Sequence, residues 1–151
     1  MQQLIDTTMP PNPTTTPTDN LTQWLADEHR IGATLQAGVG CGVATSEQVA
    51  GKSGLQVMQA ILRGELPFPP IADTLDFMLI AIGNGTATFQ GRPQLAHYNP
   101  LGSVHGGWFA TLLDSALGCA VHTMMPVGRT YTTAELSVNL VRALTTKVPR
   151  V

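Results

Sequence analysis

Residues 105–124, HGGWFATLLDSALGCAVHTM, limit what this chain can fold into more than any other stretch. Trp108, Phe109, Leu112, Leu113, Leu117 and Val121 spread around a helix of about 3.6 residues per turn, with small residues between them. A helix that is apolar nearly all round has no face to give to water, so other structure must wrap it. His105, Asp114 and His122 break the apolar run, which favours a buried helix over a membrane span.

The flanking sequence supplies the wrapping. Ser53 caps an amphipathic helix, GLQVMQAILRG, in which Leu55, Met58, Ile61 and Leu62 share a face. Gly64 ends it, and Pro67, Pro69 and Pro70 forbid its continuation. Two extended segments, Thr74–Ile82 and Thr86–Gly91, flank Gly83-Asn84-Gly85, a hairpin signal. Residues 92–103 read as a Pro- and Gly-containing loop, and Pro126 and Gly128 stop the long helix. Arg129–Leu144 alternates Thr, Val and Leu with polar residues and reads as a long strand. The order is helix, hairpin, buried helix, strand. An α+β fold follows, with an antiparallel sheet curled around one central helix.

Upstream, residues 1–20 are rich in Thr, Pro and Asn and have too few apolar side chains to offset ordering entropy, so they are expected to be a disordered tail. Residues 21–31 suggest a short helix capped by Asp19 or Asn20, and residues 32–52 a Gly-rich loop with some helix. The expected division is therefore tail (1–20), extension (21–52) and main domain (53–151). Ser46–Ser53 ends like a phosphate-binding loop, but Ser46 stands where the first glycine belongs and no buried strand precedes it; Ser53 reads as a helix cap instead.

Composition narrows the partners. Only 12% of residues are charged, 43% are hydrophobic and the formal net charge is −2. About a quarter charged is usual, so part of the surface is expected to be covered by another subunit. Without a basic run, neither nucleic acid nor an anionic membrane is the expected partner. The N-terminus lacks the basic start and apolar core of a secretion signal, which points to the cytoplasm. Cys41 and Cys119 have no metal-binding spacing, and nothing suggests that they form a disulfide.

The chemistry is carried by Asn99-Pro-Leu-Gly-Ser-Val-His105-Gly106-Gly107 and by Asp114. His105-Gly106-Gly107 opens the long helix, where free N–H groups and the positive end of the helix dipole suit a developing oxyanion. Glycine permits a substrate carbonyl to come close. Asp114 lies mid-helix among apolar residues, where a carboxylate is costly unless bonded or functional; burial would raise its pKa towards that of a general base. The plainer readings are Asp114 bonded to Thr111 or backbone, His105 as a helix-start residue and the glycines as packing residues. Gly106 and Asp114 are eight positions apart, about 12 Å along a helix axis. One helix cannot bring both to one reacting carbon, but two antiparallel copies can.

Asn-x-x-Gly-x-x-His-Gly-Gly, with Asp seven positions further on, resembles the signature of PaaI-like (phenylacetic acid degradation type) hotdog-fold thioesterases. The resemblance spans about residues 53–148 and includes SGLQVMQAILRGELPFPPIADTL and TTAELSVNLVRAL. It implies a hotdog fold and hydrolysis of acyl-CoA thioesters without metal or redox cofactor, by a homodimer or a dimer of dimers. By the same resemblance the Gly106 N–H polarises the thioester carbonyl, beside Gly107. His105 and Asn99 shape the oxyanion side and place a water. Asp114 acts as general base or nucleophile, and Thr133, with Thr132 beside it, lies near Asp114. Arg142 is a candidate for the CoA phosphates, or else a solvated charge. Relatives continue for two more strands, so the C-terminal end is expected to be cut short. Two other functions fit the same residues: a hotdog hydratase or dehydratase using His105 and Asp114, and a non-catalytic acyl-CoA-binding subunit.

Overall fold

The computed structural model describes residues 17–151, with side chains from Asn20 onward. Most of the expected tail thus lies outside the described residues. Its last residues, from Pro17, open a helix instead. Helix α1 runs Pro17–Ala37, starting earlier and ending later than the expected 21–31. Proline's fixed φ suits a first helical turn, and Ile31 and Leu35 extend the buried face. Just beyond its end, Gly38 meets Gly64 so closely that a Cβ would lie 2.2 Å from the Gly64 carbonyl oxygen.

Within the expected loop, Thr45 and Gln48 form a capping box around the short helix α2, Ser46–Val49. Lys52 donates to the Gln48 carbonyl (2.8 Å). Ser53 caps α3, Gly54–Leu62, as expected: its hydroxyl accepts from the Gln56 N–H, and the Gln56 side chain accepts from the Ser53 N–H (2.8 Å). Gly54 then joins α3 to the end of the long helix. Its N–H donates to the Met125 carbonyl (2.9 Å), and a Cβ there would stand 1.7 Å from the His122 oxygen. Because that oxygen is backbone, Gly54→Ala is expected to cost about 1–3 kcal/mol or more. A thermal melt with an unchanged midpoint would show that the α3 junction yields freely.

The proline cluster starts a helix as well as ending one, which the sequence reading did not anticipate. Helix α4 is Pro70–Leu75, with Pro69 as N-cap and Pro70 in its first turn. Asp76 closes it in a left-handed conformation (φ 50°) and accepts from Arg92 at 2.5 Å. The first strand therefore starts at Phe77, not Thr74. Strands β1 (Phe77–Gly83) and β2 (Thr86–Gly91) form an antiparallel hairpin, with Phe77 opposite Gly91 and Gly83 opposite Thr86. Gly85 supplies the positive φ (71°) of the turn.

Helix α5, Gly106–Thr123, packs on the hairpin and on α3. Trp108 is 3% exposed and donates its indole N–H to the Leu75 carbonyl (2.8 Å). Its ring lies over Gly91, where a Cβ would come within 2.8 Å of it. Val104, Trp108 and Leu144 form a buried cluster at this end of the helix. On the outer side, Leu113, Leu117 and Val121 are 42%, 58% and 46% exposed, so this single chain leaves part of α5 uncovered.

The expected strand Arg129–Leu144 is the main structural correction. It forms no ladder among the described residues. It runs instead along α5 in the opposite direction, with Tyr131 against Gly118, Thr133 against Asp114 and Leu140 against Gly106. A strand needs an edge to pair with, and the described hairpin pairs only β1 with β2. At Gly91 on β2, the backbone exchanges two hydrogen bonds with Val151 (2.9 and 3.0 Å).

Candidate active site

Helix α5 and the segment laid along it gather part of the expected site. Thr133 donates its hydroxyl to Asp114 Oδ1 (2.8 Å). Alternation along an extended chain puts Tyr131 on the same side as Thr133. Tyr131 sits over Gly118, where a Cβ would be 2.2 Å from its hydroxyl, and its ring tilts against His122 (5.8 Å). Sequence reading missed Tyr131, although its position two residues before Thr133 and the mid-helix glycine were both visible. Asp114 is half-buried and its partner Thr133 exposed, so the carboxylate is more open than expected from its apolar neighbours.

At the helix start, His105 is the N-cap. Its Nδ1 accepts the Gly107 N–H (2.9 Å), so that donor serves the cap. The Gly106 N–H has no acceptor among the described residues. Leu140 presses on Gly106, and a Cβ there would lie 2.5 Å from Leu140 Cδ1. Glycine at 106 is what permits this close approach.

Asn99 organises its own loop. Its Oδ1 accepts from the N–H groups of Leu101 (2.9 Å) and Ser103 (3.2 Å), and its amide donates to Ser103 Oγ (3.0 Å). His97 stacks on Trp108 at 5.5 Å and accepts the Gln94 N–H through Nδ1. These contacts fix residues 94–105 ahead of the helix. Thr132 and Arg142 are exposed, and neither joins the Asp114–Thr133 pair.

Burial pushes the Cys119 thiol up to about 11, and the negative charge of Asp114 adds to the effect, so it is neutral near neutrality and no nucleophile. Burial raises Tyr131 and lowers His122 in the same way. Among the described residues, no three His, Cys, Asp or Glu side chains are gathered as metal ligands, and neither cysteine is bonded to another.

In one chain, then, Asp114 with Thr133 forms one cluster, and the free Gly106 N–H with His105 forms another. They are separated along a continuous helix by about 12 Å. Residues 101–148 match the thioesterase superfamily profile. A solved protein of Ralstonia eutropha, described as a candidate thioesterase and phenylacetic acid degradation-related, is 26% identical, with a TM-score of 0.55. The match covers 61% of this chain and 70% of that one. Over these residues the chain is similar to the thioesterase superfamily, and its fold to that of a phenylacetic acid degradation-related protein. A point mutant of the phenylacetic acid degradation protein PaaI from Thermus thermophilus is 30% identical over 38% of this chain and 50% of its own, with a TM-score of 0.36. No match was found among curated proteins. No described helix is long and apolar enough to cross a membrane.

Proposed function

We propose that this PaaI-like protein hydrolyses acyl-CoA thioesters in the cytoplasm at a site shared by two copies. The observation that carries the reading is the Thr133–Asp114 hydrogen bond on α5, with an uncommitted N–H at Gly106 on the same helix. The hydroxyl holds Asp114 in one orientation, ready to take a proton from water or to attack the thioester carbon itself. The Gly106 N–H of the other copy would receive the developing negative charge on the carbonyl oxygen. Gly107 and His105 then shape the helix start rather than donate, Asn99 holds the preceding loop, and Arg142 and Thr132 would meet the CoA portion.

The exposed side of α5 supports the pairing of copies, because Leu113, Leu117 and Val121 need a cover. The expected assembly is a homodimer or a dimer of dimers. Light scattering should give at least a dimer, and incubation with an acyl-CoA panel and a thiol reagent should release free CoA. A stable, active monomer would rule out the shared site. A change in enoyl absorbance without CoA release would turn the assignment to a hydratase, and tight binding without turnover to an acyl-CoA-binding subunit.

A further inference from the structure

The segment that follows α5 is held on the helix by side chains. Residues 130–143 make no backbone–backbone hydrogen bond among the described residues, so no ladder fixes their register. Two neighbouring contacts do so near Asp114. Thr133 donates to Asp114 (2.8 Å), and two positions earlier Tyr131 lies across Gly118. The spacings agree. Asp114 and Gly118 are four positions apart, about 6 Å along a helix axis, and two positions of an extended chain cover about 6.6 Å. Asp114, Gly118 and His122 follow one face of α5 at four-residue intervals. The Tyr131 ring tilts against the last of them, with centroids 5.8 Å apart. Gly118 is buried, and a Cβ there would meet three atoms of Tyr131, the hydroxyl oxygen at 2.2 Å and two ring carbons at 3.0 and 3.1 Å. Glycine in mid-helix weakens a helix relative to alanine. Here it leaves the notch in which Tyr131 sits.

We infer that Tyr131 is a positioning residue: seated in the Gly118 notch and against His122, it sets the register in which Thr133 meets Asp114. Tyr131 acts through Thr133 and touches no reacting atom. Its effect on turnover rests on the thioesterase reading, whereas its hold on Thr133 does not. Thr133 is exposed and its segment has no ladder, so without this seat its hydroxyl can leave the carboxylate. Asp114 would then spread over several rotamers instead of one. The ring fills the notch, so phenylalanine should serve at position 131 where alanine does not.

The test uses the full chain and two readouts. In CoA release, Tyr131→Ala, Gly118→Ala and Thr133→Val should each lower kcat by about tenfold or more with KM little changed, as small misplacements of a catalytic group do. Tyr131→Phe should stay close to the parent. Gly118→Ala favours the helix, so its kcat should fall without a matching fall in Tm. Because Tyr131 acts through Thr133, the Tyr131→Ala, Thr133→Val double variant should be no slower than the slower single one. The second readout needs no turnover: cross-relaxation in NMR between the Thr133 methyl group and the Asp114 protons. It should persist in Tyr131→Phe and vanish in Tyr131→Ala and Gly118→Ala. Cross-relaxation that survives in folded Tyr131→Ala overturns the proposal, as do losses in kcat that multiply in the double variant. A rise in KM alone would make Tyr131 a substrate contact and overturn it too, and so would Tyr131→Phe behaving like Tyr131→Ala. If either Gly118→Ala or Tyr131→Ala unfolds, the other decides. If the parent releases no CoA from any thioester, the thioesterase reading falls, and cross-relaxation alone decides whether Tyr131 holds Thr133.

Discussion

Asp114→Asn is expected to lower thioester turnover by about 100-fold or more, with little change in melting temperature. The substitution keeps the shape of the side chain and its oxygen acceptor, so Thr133 can still donate to it across a contact now 2.8 Å long. What it removes is the ability to take up a proton or to attack as a carboxylate, and both candidate roles of Asp114 need that. The position is half-buried, so replacing a charged group with a neutral one of equal size leaves little unsatisfied. Turnover is read as free CoA from an acyl-CoA, and folding by thermal melting of the same preparation. An Asn variant with near-normal kcat would place the base elsewhere.

Trp108→Ala should have the largest effect on stability, about 3–5 kcal/mol, the usual range for emptying a large aromatic site. Trp108 is 3% exposed, donates to the Leu75 carbonyl, stacks on His97 and meets Phe109 edge-on at 5.4 Å. Truncation would open a cavity and leave that carbonyl without its partner. It would also free the loop that ends at His105, so activity should fall along with stability. For a chain of this length about 2–4 °C per kcal/mol implies a drop of roughly 6–20 °C in Tm. A circular dichroism melt lower by under about 2 °C would mean that the loop and the α4 end are held by other contacts.

The sequence was legible where the signals were local. Ser53 with Gln56 reads as a cap because both partners lie within one turn. Gly83-Asn84-Gly85 reads as a hairpin because the turn itself demands positive φ. His105 marks the start of α5, and the Asp114–Thr133 contact was anticipated from the family signature. Misreadings arose where one signal has two meanings. Pro69 and Pro70 both end α3's neighbourhood and start α4, so Thr74 was placed in a strand. Gly32 lies inside α1, where buried Ile31 and Leu35 outweigh its low helix propensity. Residues 129–144 have a strand's alternation, but pairing depends on an edge that no local pattern reveals. Asn99 was placed beside the reacting oxygen, yet its amide is already engaged in its own loop.

The clasp between α1 and the last turn also bears on how the chain folds. Glu28 pairs with Arg150 across 122 positions and also accepts from Gln90, which is buried. Closing a longer loop costs more entropy, by about 0.6 kcal/mol for each doubling of its length. The hairpin and the α3 cap close over a few residues and can form early, whereas the Glu28 junction waits until the elements between are in place. If such a contact forms after the main barrier, its strength is expected to slow unfolding more than to speed folding.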